Sequence, residues 1–217
     1  MSSDLMLMLW DSFVETVIMV GLSGFIGSVF GIPLGILLHV TDNGGVHPMP
    51  IFNKVLGWII NAVRSTPFII LLVAIIPLTR VIAGTSIGTT AACVPLTIVA
   101  IPFLSRLVET SIRDVDFGLV EAAEAMGASP LQIIRKVLLP EALPTIINNI
   151  TVLIVNLIGA SAMAGAIGGG GLGDIAIRYG YQRFQADVML ATIIILVIGV
   201  NLIQGIGDFA SHKKNKK

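Results

Sequence analysis

The chain has 217 residues, 55% hydrophobic and 12% charged, with 13 Lys plus Arg against 13 Asp plus Glu. A soluble domain carries about 25% charged residues, so this composition excludes an ordinary soluble fold, and zero net charge excludes a global bias toward nucleic acid. A single cysteine, Cys93, excludes a disulfide framework, and with three scattered histidines it offers no metal site.

The first residues, MSSDLMLMLWDSFVET, contain no Lys or Arg. They lack the basic start of a cleaved signal peptide, so residues 1–12 are expected to be a short outer N-terminus ahead of a retained first span. A membrane-crossing helix needs about 20 mainly apolar residues. Five stretches qualify, at about 17–40, 58–78, 87–108, 142–165 and 187–207. The predicted fold is therefore an all-α membrane protein of five spans.

The first span carries Gly27, Gly31 and Gly35 at four-residue spacing. Such a ridge lets a second helix approach closely, although glycine is common in membrane helices in any case. The second span is interrupted only by Arg64 near its start. Pro33, Pro67, Pro95 and Pro102 fall within the spans, and each removes a backbone donor and bends its helix. Orientation follows the basic residues. With the N-terminus outside, Lys54, Arg64, Arg106, Arg113, Arg135, Lys136, Lys213, Lys214, Lys216 and Lys217 face the cytoplasm and only Arg80, Arg178 and Arg183 face out. Residues 13–207 are read as one transmembrane domain and 208–217 as a basic cytoplasmic tail.

Between the third and fourth spans lies a segment, 116–140, whose core is EAAEAMGASPLQIIRKVLLP, Glu121 to Pro140. Glu121 to Met126 is a run of strong helix formers. Gly127 suits the left-handed residue that ends a helix. Ser129 is a good N-cap, Pro130 suits the first helical position, and Gln132 completes a capping-box pattern. Leu131, Ile134, Val137 and Leu138 recur with helical spacing, and Pro140 opens the next element. The segment reads as two short helices joined by a glycine turn on the cytoplasmic side. Ala122, Ala123 and Ala125 make the first helix thin enough to enter a groove, and Glu121 and Glu124 give it an acidic edge.

The fourth span places Thr145, Asn149, Asn156, Ala160 and Met163 on one helical face. Polar groups within a span face the bundle interior or a wet cavity. Asn149 and Asn156 therefore either line a pathway, with Ser161 and Met163 near its outer gate, or bond between helices. Asn148 lies beside this face. Beyond it, Gly168, Gly170 and Gly173 match GxGxxG, but a dinucleotide site needs a preceding strand. Here the pattern follows a membrane helix and reads as a packing corner or a flexible connection. No phosphate loop occurs. Ser161 lacks a full GxSxG elbow because position 163 is Met, and His39 is expected at the opposite end of the bundle. An intramembrane enzyme is thereby disfavoured.

The segment after the third span resembles the EAA loop of ABC-importer permeases: EAA, three residues, Gly, nine residues, Ile, one residue, Leu-Pro. Glu121, Ala122, Ala123, Gly127, Leu139 and Pro140 match, and Val137 replaces Ile. Arg64 to Gly88, RSTPFIILLVAIIPLTRVIAGTSIG, resembles the second span and outer turn of methionine-importer permeases. Ser161 to Gly173, SAMAGAIGGGGLG, is similar to a motif shared by methionine, osmoprotectant and phosphonate permeases. The resemblance covers roughly residues 13–205. It implies a type I permease subunit with no cofactor of its own, ATP and Mg being bound by a partner. Its partners would be a second copy, two ATP-binding cassette subunits and a periplasmic or lipid-anchored solute-binding protein, with no nucleic acid. Glu121 to Pro140 would couple to the ATPase. The implied substrate is methionine, as both stereoisomers or derivatives. The alternative is an osmoprotectant, phosphonate or other small polar solute. The implied location is the bacterial inner membrane.

Overall fold

The computed structural model describes residues 3–214, with side chains over 5–211; Lys216 and Lys217 of the expected tail lie outside the described residues. Ten α-helices follow one another: α1 Ser3–Val40, α2 Pro50–Ser65, α3 Phe68–Ala74, α4 Ile76–Ala83, α5 Thr89–Arg113, α6 Phe117–Ala125, α7 Pro130–Ile133, α8 Leu139–Ala164, α9 Gly171–Ile175 and α10 Ala186–Lys214. Among the described residues, four helical stretches are long and apolar enough to cross a bilayer: Leu5–Val40, Thr89–Arg113, Pro130–Gly169 and Ala186–Ser211. A fifth is reached only by counting α2 and α3 as one span bent by 103°.

That bend falls at Pro67, where the second span was expected to bend, and is sharp enough to split it into two helices. Pro67 removes a backbone donor and pushes Thr66 out of the helical region, to φ −85°, ψ 123°. A second interruption at Ile75, ahead of Pro77, separates α4. Prolines alone do not break helices here, because α5 runs unbroken through Pro95 and Pro102. The first helix also differs. It begins at Ser3, so the expected N-terminal segment 1–12 is helical from Ser3 onward. At 1.5 Å per residue, its 38 residues extend about 57 Å, well beyond a 30 Å hydrocarbon layer.

The bundle is built on α1 and α5, which share the most extensive contact in the fold. In lipid there is no hydrophobic drive to pair two apolar helices, so close contact must supply the attraction. The glycine ridge provides it. A Cβ added at Gly27 would lie 2.6 Å from Ala100 Cβ, one at Gly31 3.0 Å from Ile101 O, and one at Gly35 2.5 Å from Ser105 O. One face of α1 is thus laid directly on the α5 backbone. Against this pair packs α8, and Met19, Leu96, Ala100, Leu104, Val108, Leu153 and Leu157 form a solvent-free core between them. Ser23 closes the same seam by donating to the Cys93 carbonyl at 3.2 Å. α10 lies outermost and packs mainly on α8.

Overpacking a close seam costs about 1–3 kcal/mol. Gly35→Val is expected to lower the melting temperature of the detergent-solubilised protein clearly. Gly21→Ala, with nothing within 4 Å of the new methyl group, is expected to leave it unchanged. A Gly35→Val variant that melts with the wild type would show that the ridge is not a packing seam.

Candidate functional site

The segment after α5 folds as a helix–turn–helix. Asp116 caps α6, its Oδ1 accepting from the Gly118 N–H at 2.8 Å. The helix ends in a Schellman motif: Ala128 N–H donates to Ala123 O at 3.0 Å and Gly127 N–H to Glu124 O at 2.8 Å. Gly127 sits at φ +78°, where a side chain is strained. Ser129 N–H then donates to Gln132 Oε1 at 2.8 Å, one leg of the expected capping box. The hairpin is held to the bundle by Val120, Ala123, Ile133 and Leu138, all buried. Glu121, Ala122, Glu124, Ala125 and Gly127 stay exposed, beside exposed Phe117 and Met126. Of the EAA triplet, only Ala123 is spent on the chain's own packing.

Pro140 does not open a separate element as expected. α7 runs through a π turn, Ile134–Leu138, straight into α8. Without an N–H, Pro140 leaves the Lys136 carbonyl without its usual donor, and the widened turn shifts the register, with Leu139 N–H donating to Ile134 O. Leu139 and Pro140 therefore join the hairpin's second helix and the fourth span into one continuous rod from Pro130 to Ala164.

Near the root of the hairpin sits a charge the sequence reading left out. Glu109 lies one residue past the predicted end of the third span, but α5 continues to Arg113. Its side chain is 6% exposed. Oε2 accepts from Arg106 Nη1 at 2.6 Å and Oε1 from Arg113 Nη2 at 2.7 Å. Arg113 also reaches Asp42 at 3.7 Å, in the loop after α1. The spacing Arg-x-x-Glu-x-x-x-Arg carried the signal, since i,i+3 and i,i+4 charges meet on a helix.

On α8 the residues singled out from sequence divide. Asn149 turns toward α5, donating to Leu107 O at 3.1 Å and Ser111 Oγ at 2.6 Å. Ser161 is buried and donates to Ile158 O at 2.8 Å, and Ala160 is buried as well. Thr145, Asn156 and Met163 are exposed, and Asn148, Val152 and Gly159 complete their stripe with spacings of three or four residues. Asn148 thus belongs to the open face, and Asn149 to the interhelical bonding that the sequence reading left as the other possibility. Thr151, Gln204 and Asp208 add polar groups to a groove beside Asn148, between α8 and α10.

After α8, the glycine run forms a tight corner. Gly168, Gly170 and Gly171 all take positive φ, and the corner packs on α1 and on the end of α8. Its GxGxxG spacing serves this packing and follows a helix, not a strand.

A family model, "binding-protein-dependent transport system inner membrane component", matches residues 31–214. A probable D-methionine transport system permease protein MetI from Vibrio cholerae is 56% identical over 194 residues, covering 89% of this chain and 86% of that protein. The D-methionine transport system permease protein MetI of Escherichia coli K12 is 50% identical over 165 residues, 76% of each chain. A chain from inward-facing conformations of the MetNI methionine ABC transporter superposes with a TM-score of 0.96 at 49% identity, covering 99% of both chains.

Interhelical hydrogen bonds in membranes average about 0.6 kcal/mol, with a maximum near 1.7. A double-mutant cycle of Asn149→Ala with Ser111→Ala, read by thermal unfolding in detergent, is expected to give a coupling energy in that range. Strict additivity would remove Asn149 from the α5–α8 contact.

Proposed function

The chain belongs to the family of binding-protein-dependent transport system inner membrane components and is a permease subunit of an ATP-driven importer; on that premise we propose that it carries methionine across a bacterial inner membrane. The observation that carries the substrate is the identity, 50–56% over most of the chain, to D-methionine permeases. The working unit is two copies of this chain on two ATPase subunits, with a solute-binding protein delivering the substrate from outside. Five spans are reached by counting α2 and α3 as one, with the N-terminus outside and ten of 13 basic residues on the cytoplasmic side.

Coupling is assigned to Glu121, Ala122, Ala123, Glu124, Gly127, Leu139 and Pro140. The exposed side of α6 fits a cleft on the ATPase, with Glu121 and Glu124 as its acidic edge and Phe117 and Met126 as apolar contacts. Gly127 sets the angle at which α6 leaves the rod. The rod itself gives the lever: a push on α6 passes through the short capped turn at Gly127 into α7, which continues as helix into the fourth span. When the ATPases close, two such hairpins approach and the bundles rock from inward- to outward-facing. The close superposition on inward-facing transporter chains supports reading this structure as the inward-facing state.

The translocation pathway runs along the open stripe of α8. Asn156 offers hydrogen bonds to a polar solute, and Met163 stands near the outer gate. Asn149 and Ser161 serve the same helix from behind, Asn149 holding it on α5 and Ser161 packing inside the bundle. The stripe holds few charges, which suits a net-neutral amino acid that the binding protein has already selected.

Three measurements test this reading. Glu121→Lys or Gly127→Pro is expected to abolish co-purification of the ATPase subunit, because one reverses the acidic edge and the other cannot adopt φ +78°. Retention of the ATPase by both variants would remove the hairpin from coupling. In a Cys93→Ala background, cysteines at Asn156 and Met163 are expected to react with soluble thiol reagents during turnover, and one at Ser161 to resist. Protection of all three throughout the cycle would move the pathway elsewhere. Finally, proteoliposomes holding the full complex are expected to accumulate labelled methionine with ATP. A binding protein that instead retains a betaine or a phosphonate would overturn the substrate.

A further inference from the structure

Two polar residues of α1 are unaccounted for by coupling or by the pathway. Glu15 Oε2 accepts from the Gly171 N–H at 2.6 Å, and Thr16 Oγ1 accepts from the Leu172 N–H at 2.9 Å. The donors are the first two backbone N–H groups of α9, which have no partner inside their own helix. Each contact joins residues 156 positions apart in the chain.

The corner is shaped to this pair. Gly170 and Gly171 take φ +79° and +76°. A Cβ at Gly170 would lie 2.8 Å from Glu15 Oε2, and one at Gly171 2.7 Å from Thr16 Oγ1. The glycines thus let the backbone come within hydrogen-bonding distance of α1, and no other residue fits both the torsion and the space. On its other side the corner folds back on α8: a Cβ at Gly165 would lie 2.5 Å from Asp174 N. Met163 lies two residues before Gly165. A chain of contacts therefore leads from the α1–α5 body, through Glu15 and Thr16, to the outer end of the pathway helix.

We propose that Glu15 and Thr16 are positioning residues of the outer gate: they fasten the glycine corner, and with it the outer end of α8, to α1 in the inward-facing state and release it when the gate opens. The inference rests on the transport reading above. A contact made in one of two states biases the equilibrium toward that state, and its removal favours the other. Outward-facing permeases are paired with closed ATPases, so loss of the latch speeds ATP hydrolysis that is not triggered by the binding protein. A merely structural contact would not produce this gain.

The test uses the whole complex in proteoliposomes and measures ATP hydrolysis without and with the binding protein. Glu15→Ala is expected to raise the unstimulated rate about tenfold, the change that follows from a tenfold shift between states, and to flatten stimulation by the binding protein. Glu15→Gln keeps an oxygen acceptor for Gly171 and is expected to stay near wild type. Asp11→Asn, exposed one turn earlier on α1, is expected to have no effect. Should Glu15→Ala not assemble, Thr16→Val removes the second acceptor with little change of shape and is expected to raise the unstimulated rate likewise. An unstimulated rate at the wild-type level, or hydrolysis and uptake falling together, would overturn the latch while leaving the transport reading intact. A wild-type complex that hydrolyses ATP without responding to the binding protein would sink the transport reading, and the latch with it.

Discussion

The close approach of α1 to α5 along Gly27, Gly31 and Gly35 is the constraint on which the remaining architecture depends. In water, two apolar helices associate because association removes apolar surface from solvent. In a bilayer that drive is absent, because lipid tails are as apolar as leucine. What remains is dispersion over well-matched surfaces, and it weakens quickly with any gap. Three glycines at one-turn spacing let α1 lie on the α5 backbone from Gly27 to Gly35. That pair forms the wall against which α8 packs. The hairpin and the glycine corner are then attached to this wall, one toward each end.

At one end, the chain leaves α5, turns through the capped helix α6, and re-enters the bundle as the rod from Pro130 to Ala164. The π turn at Ile134–Leu138 absorbs the missing donor of Pro140 without breaking the rod. From α7 onward the hairpin is therefore joined to the fourth span by helix and not by a loop. Nearby, Glu109 holds Arg106 and Arg113 on the last turns of α5. A lone buried carboxylate would be costly, and two bonded guanidinium groups offset that cost. The contact on to Asp42 is longer and half-exposed, so it adds little.

At the other end, the same rod runs out into four consecutive glycines, and the chain needs side-chain acceptors from α1 to close the corner. The two ends use opposite devices. A continuous helix joins the hairpin to the fourth span, whereas a backbone stripped of side chains permits close docking at the corner. Prolines follow the same logic of context. Pro67 ends a helix and the chain turns there by 103°, while Pro95 and Pro102 are tolerated inside α5, where α1 and α8 pack against that helix.

Much of this was legible in the linear chain. Apolar run lengths located four of the spans, the caps around Gly127 and Ser129 placed the hairpin, and the EAA spacing pointed to its partner. These features rest on local rules: burial of about 20 apolar residues, backbone torsion at glycine, and capping within a few positions. Other features were not legible because they depend on contacts distant in sequence. Nothing local distinguishes Asn148 from Asn149; only the placement of Leu107 and Ser111 turns one inward and leaves the other on the open face. Nothing local says that Glu15 and Thr16 meet Gly171 and Leu172. The sequence by itself determined a membrane-embedded, all-helical permease with a capped helical hairpin after the third span, since hydropathy and capping act over one or two turns. The tertiary structure alone decided which polar groups are spent on holding helices together and which remain free, because hydrogen-bond partners are chosen by three-dimensional proximity.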